Sequence, residues 1–128
     1  MNLLLKSIRV IDPLTKRDAV CDVHIVDGII ERIGTKLTAP AGCDVREMKG
    51  MIAAPGFFDM HVHFREPGNE GAETIATGAA CAAESGFTGV MLMPNTTPAI
   101  DSAAMVRFVR GRAKGALVDV FTSGCIRK

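Results

Sequence analysis

The sequence predicts an α/β protein in two parts, a small antiparallel β sheet over residues 1–54 and a parallel βαβαβ unit over residues 55–128. Three observations carry this reading. The first third alternates β-type apolar residues with polar ones and contains a hairpin signal. Beyond residue 55 the apolar runs are nearly continuous, as in strands covered on both faces. Between those runs lie stretches free of proline and long enough for helices, the first of them rich in alanine.

Leu3, Leu5, Ile8 and Val10 open the chain, and Asp12-Pro13 breaks that run. Val20 to Val26 is the next strand, with Cys21, Val23 and Ile25 alternating against Asp22 and His24. His24 falls on the polar side and is expected to be exposed, without a metal role. Asp27-Gly28 stands directly before Ile29, Ile30 and Ile33. That pair is a strong hairpin signal, because both central residues of a type I′ turn need positive φ. Gly34 closes the third strand, residues 35–43 read as a loop around Pro40 and Gly42, and Val45 to Met48 as one more short strand.

Ile52 to Phe58 is apolar and interrupted by Pro55-Gly56. Phe57 to Phe64 reads as a strand with a polar far end, followed by a loop from Arg65 to Gly71. Residues 73–85 form the first helix, and Gly86 stands where a helix C′ glycine belongs. Ala76, Ala79, Ala80, Ala82 and Ala83 are small enough to let that helix lie close on a sheet. Phe87 to Met93 is the next strand, with Met91 and Met93 expected in the core, and Pro94 to Pro98 is a loop. Asp101 or Ser102 can cap a second helix that ends near Lys114-Gly115. Leu117 to Phe121, interrupted by Asp119, is the third strand. The order strand–helix–strand–helix–strand calls for a parallel sheet with right-handed crossovers.

Composition excludes several classes of function. A net charge of +1 over 128 residues leaves no surplus to neutralise phosphates, so a strongly basic nucleic-acid binder is excluded. Trp and Tyr are absent, and six scattered Phe make a poor base-stacking surface. Apolar runs stop well short of the ~20 residues of a membrane span. The opening Met1-Asn2-Leu3-Leu4-Leu5-Lys6 is not a secretion signal. Cys21, Cys43, Cys81 and Cys125 form no C-x-x-C pair; they read as free thiols in a reducing, cytoplasmic compartment, each a small buried hydrophobe.

The sharpest local signal is Asp59-Met60-His61-Val62-His63-Phe64-Arg65-Glu66-Pro67-Gly68. Residues i and i+2 of a strand point the same way, with Cα atoms about 6.5 Å apart. His61 and His63 therefore project from one face, where two imidazoles can reach one metal at roughly 2.0–2.1 Å. The pair sits at the carboxyl end of its strand, where parallel α/β architectures bind ligands. Asp59 faces the same side. Glu66, Glu70 and Glu73 read as solvated or cap-related charges.

The segment from Pro55 to Gly68 resembles the first barrel strand of the amidohydrolase superfamily, and the Arg65-Glu66-Pro67-Gly68 that follows the two histidines points to its dihydroorotases. Ala82-Ala83-Glu84-Ser85-Gly86-Phe87-Thr88-Gly89-Val90 and Met93-Pro94-Asn95-Thr96 are similar to dihydroorotases of the long, bacterial type. Ser85 departs from a second glycine that is common there. Ser123 to Lys128 resembles that family's third strand exit, and the opening hairpin fits its small β domain. Hydantoinases and allantoinases share the two histidines but lack this combination of motifs.

The resemblance implies the first three strands of a TIM-type (β/α)8 barrel, preceded by part of a small β-sandwich-like domain. It implies His61 and His63 as ligands to one or two zinc ions, and Arg65 and Asn95 as partners of the substrate carboxylate. A planar bidentate donor such as Arg65 suits that task. The implied reaction is the reversible hydrolysis of the cyclic amide of dihydroorotate to N-carbamoyl-aspartate, in pyrimidine biosynthesis. A general acid/base Asp, a bridging carboxylate or carboxylated Lys, and two further His are expected downstream, since the chain has three His in all and such a barrel needs about 250 residues. The chain thus reads as an N-terminal portion, inactive alone, of a homo-oligomeric enzyme with aspartate carbamoyltransferase as a candidate partner. Alternatives are an inactive scaffold subunit for that transferase, a hydantoinase- or allantoinase-type hydrolase, and an unrelated α/β interaction module.

Overall fold

The computed structural model describes residues 1–126. The resemblance at the third strand exit runs on to Arg127 and Lys128, which lie outside the described residues. The chain forms two compact units, Met1–Pro55 and Gly56–Lys128.

In the first unit, β1 (Asn2–Asp12), β2 (Arg17–Val26) and β3 (Ile29–Gly34) form an antiparallel meander. Asp27 at φ 50° and Gly28 at φ 82° make the turn between β2 and β3, as the Asp-Gly pair requires. The sheet is not wholly antiparallel. β4 (Asp44–Glu47) and β5 (Ile52–Ala53) both pair with β1 in parallel. The loop 35–43 carries the chain across the sheet, so it returns on the far side of β1 in the same direction. Ile8, Val10, Cys21 and Val23 form the buried core, with Met48 and Ala53 packed against it.

His24 corrects the expectation of exposure: it is 7% exposed. Its Nε2 lies 2.7 Å from Asn2 Oδ1 and its Nδ1 lies 3.2 Å from Glu31 Oε2. Alternation placed it on the polar face, but β2 lies between β3 and β1, and side chains from both neighbours close over that face. Cys21 meets the expectation of burial, and the other three cysteines depart from it. Cys43 and Cys125 are half-buried, and Cys81 is exposed because it lies off the buried stripe of its helix.

In the second unit, β6 (Phe57–Val62), β7 (Phe87–Leu92) and β8 (Asp119–Thr122) form a parallel sheet in that order. α1 (Ile75–Glu84) and α2 (Ala103–Arg112) connect them. Thr74 and Thr77 close a reciprocal capping box at the start of α1. Of the two candidates for the cap of α2, Ser102 is the one used, its side chain accepting from the Met105 N–H. Leu117 is exposed, since pairing with β7 begins only at Asp119.

The core lies between sheet and helices: Phe64, Ile75, Ala79, Val90, Leu92, Ile100, Val109 and Val118. Val90 and Leu92 point into it, whereas Met91 and Met93 are half-buried rather than core. The small side chains of α1 do bring helix and sheet close. A Cβ added at Gly78 would stand 2.3 Å from the Phe64 ring.

Candidate metal centre

β6 ends at Val62, so His61 is the last-but-one residue of the strand and His63 the first residue beyond it. Met93 N–H donates to Val62 O at 2.9 Å and extends the pairing to this point. The next residue, Phe64, is buried against α1, which holds His63 and Arg65 outward on either side of it.

The two imidazoles stand side by side. Their centroids are 4.9 Å apart with planes at 62°, and their Nε2 atoms are 3.1 Å apart. Asp59 Oδ1 accepts the backbone N–H of His61 at 2.9 Å, which braces the strand end. Asn95 Oδ1 lies 3.0 Å from His63 Nδ1. The amide oxygen facing the ring suits the tautomer with its proton on Nδ1, in which the Nε2 lone pair is free for another partner. Fixing a histidine through its second nitrogen in this way is how metal-ligating imidazoles are commonly oriented.

The donors fit a zinc ion. Two nitrogens at 2.0–2.1 Å from a tetrahedral zinc lie roughly 3.3 Å apart, close to the 3.1 Å between these Nε2 atoms. They make a pair and not a full set: among the described residues there is no cluster of three or more His, Cys, Asp or Glu placed to hold a metal.

Arg65 and Asn95 come from different loops, after β6 and after β7, and line one cleft of about 200 Å³ with Pro67, Gly68 and Thr97. The Arg65 guanidinium is exposed and forms no ion pair among the described residues. Asn95 thus borders both the imidazole pair and the cleft, a double placement that the spacing of the motifs did not reveal.

Sequence reasoning missed Glu66. It is 2% exposed, so the solvated reading is corrected. Its Oε2 accepts the Ile75 N–H at 2.9 Å and its Oε1 pairs with Arg112 Nε. The cap-related part of the reading holds, since the carboxylate takes the first amide of α1; burial was not legible, because Arg112 lies 46 residues away in sequence. Glu70 is exposed and accepts the Gly68 N–H, which lowers its carboxyl below the usual range. Glu73 is half-buried.

Comparison of the fold with solved structures defines the class first. An L-hydantoinase (dihydropyrimidinase) from Arthrobacter aurescens matches 96% of this chain and 27% of its own, with a TM-score of 0.81 and 21% identity. A D-hydantoinase (dihydropyrimidinase) from Thermus sp. matches 95% of this chain and 27% of its own, with a TM-score of 0.71 and 28% identity. A solved dihydroorotase gives a TM-score of 0.67 at 21% identity, over 96% of this chain and 30% of that one. The fold, an antiparallel-rich sheet followed by a parallel β-α-β sheet, is that of the N-terminal region of these amidohydrolases.

Sequence narrows the class. The family described as Dihydro-orotase-like matches residues 50–126, and the chain belongs to it. Dihydroorotases from Citrifermentans bemidjiense and Solibacter usitatus are 51% and 47% identical over the whole of this chain. The chain spans 30% of the length of these curated relatives.

Proposed function

We propose that this chain supplies the first part of a dihydroorotase, a zinc-dependent cyclic amidohydrolase that interconverts dihydroorotate and N-carbamoyl-aspartate in the cytoplasm. The observation that carries this reading is the convergence of His61 and His63 Nε2 atoms at 3.1 Å, at the carboxyl end of a parallel strand. Motif and family agree with it. The three parallel strands are then the opening of an eight-stranded barrel, whose active site lies at that same end.

In this reading His61 and His63 would hold zinc, each offering its Nε2. A bound zinc ion lowers the pKa of water and polarises a carbonyl, which is the chemistry that hydrolysis of a cyclic amide needs. The chain's own residues do the rest of what is described here. Asn95 Oδ1, 3.0 Å from His63 Nδ1, would accept a proton from that nitrogen and leave the lone pair on Nε2, the atom beside His61. The Asn95 amide nitrogen retains two donors for the substrate carboxylate. Arg65, at the rim of the cleft and without an ion pair among the described residues, supplies a positive charge and a planar fork for the same group. Two imidazoles are fewer than the three protein ligands of a usual catalytic zinc site, so the remaining ligands and the general acid/base come from outside these residues.

The test is metal content and turnover of the full-length enzyme. Replacing both histidines with alanine is expected to remove the metal they share and abolish hydrolysis. Asn95→Ala is expected to weaken metal affinity about 10- to 100-fold. Unchanged zinc stoichiometry in the His61→Ala, His63→Ala double variant, or a wild type that leaves dihydroorotate untouched, overturns the proposal.

A further inference from the structure

Arg65 has to present its guanidinium from a loop, and loops are mobile unless something holds them. The loop after β6 is held at two points directly following Arg65. Thr97 N–H donates to Pro67 O at 3.1 Å, which joins this loop to the one that carries Asn95. Gly68 packs so tightly there that a Cβ would stand 2.1 Å from Thr97 O. The second point is Glu66. Its carboxylate is the one fully buried acid of the second unit among the described residues, and nothing in the proposed chemistry uses it.

Glu66 connects three elements. Oε2 accepts the N–H of Ile75, the first residue of α1, and so satisfies an amide that the helix itself leaves free. Oε1 pairs with Nε of Arg112, the last residue of α2. The arrangement is favourable at both ends, since a carboxylate suits a helix N-terminus and a guanidinium suits a C-terminus. A buried carboxylate is costly unless paired and hydrogen-bonded, and Glu66 is both, so its two partners fix the backbone one residue from Arg65.

We infer that Glu66, paired with Arg112, is a positioning residue that clamps the loop bearing Arg65 to the ends of α1 and α2 and thereby sets where Arg65 meets the substrate carboxylate. Neither side chain touches substrate. Glu66→Gln keeps an oxygen for the Ile75 N–H but turns an amide N–H₂ toward the Arg112 N–H, so the clamp opens while the helix cap survives. Arg112→Gln breaks the same pair from its half-exposed side and is the variant better able to fold. Arg112→Lys restores a charge opposite Glu66.

This inference rests on the proposed dihydroorotase reading for its substrate, and two readouts keep the two apart. The first is amide hydrogen exchange of residues 65–72 in the full-length enzyme: faster exchange in Glu66→Gln and in Arg112→Gln, with Arg112→Lys closer to wild type, is expected. The second is kinetic. KM for dihydroorotate is expected to rise about 10-fold in Arg112→Gln, with kcat and zinc content changed less. In an Arg65→Met background the same replacement is expected to add almost nothing, because the clamp acts through Arg65. Loop exchange that stays at wild-type rates overturns the inference. So does a KM effect that multiplies in full with Arg65→Met, which marks general structural damage. If dihydroorotate is not a substrate but loop exchange rises as described, the clamp stands and the functional reading falls.

Discussion

Three donors converge on the Asp22 carboxylate: the Ser7 N–H at 3.0 Å, the Leu37 N–H at 2.8 Å and the Lys6 ammonium at 3.0 Å. Ser7 lies at φ 57°, within the irregularity of β1 between Leu5 and Ile8, and Asp22 holds it there. Burial pushes this carboxyl up, but the hydrogen bonds from Ser7, Lys6 and Leu37 and the charge of Lys6 outweigh it, and the net shift is downward. Its folded pKa therefore lies below the unfolded value of about 3.9, so its stabilisation is present above that value and is lost as pH falls through the folded one. Asp22→Asn cannot accept on both sides and is expected to cost roughly 1–3 kcal/mol at neutral pH. Melting temperature followed from pH 6 down to 2.5 should fall more steeply for wild type than for the variant; parallel curves rule this account out. Asp22, His24 and Glu66 all read as ordinary polar positions in sequence, because each is buried by partners distant along the chain.

The helix α1 illustrates the next scale. Its alanines and the C′ glycine Gly86, at φ 84°, are local signals that placed a helix over 73–85; the structure has it at Ile75–Glu84, with the cap at Thr74. Which of its residues takes the closest contact was not local information. Gly78 faces Phe64, the residue between His63 and Arg65, at a distance that leaves no room for a methyl group. Gly78→Ala is thus expected to destabilise by about 1–3 kcal/mol. A Cβ at Gly111 in α2 would meet nothing within 4 Å among the described residues, so Gly111→Ala should stabilise by up to ~1 kcal/mol through helix propensity. Urea midpoints of the two variants should move in opposite directions; a shared sign contradicts the packing argument. The direction of β4 was likewise not legible, since four residues with β character pair equally well either way until a neighbouring strand is chosen.

At the scale of the whole molecule, the second unit presents a parallel sheet with β6 and β8 at its edges, and with Phe57, Phe58, Met60 and Phe121 exposed. Open strand edges and apolar side chains of this kind invite pairing with other chains. Residues 1–128 produced alone are therefore expected to self-associate and to show no hydrolysis of dihydroorotate, with two imidazoles in place of a complete ligand set. Light scattering and a turnover assay check this together. A monomer with a cooperative melt, or measurable turnover, would count against both the barrel and the shared site.

What the sequence determined by itself is what depends on near neighbours. The hairpin at Asp27-Gly28, the helix caps, the parallel order of strands and the common face of His61 and His63 all follow from backbone periodicity and turn chemistry within a few residues. Tertiary structure alone decided the contacts across long stretches of chain: the parallel return of β4, the burial of His24, the hold of Asn95 on His63, and the closure of Glu66 onto Arg112. The reason is physical. Local geometry sets where a side chain points, but whether it meets water, a helix end or an opposite charge depends on which distant segment folds over it.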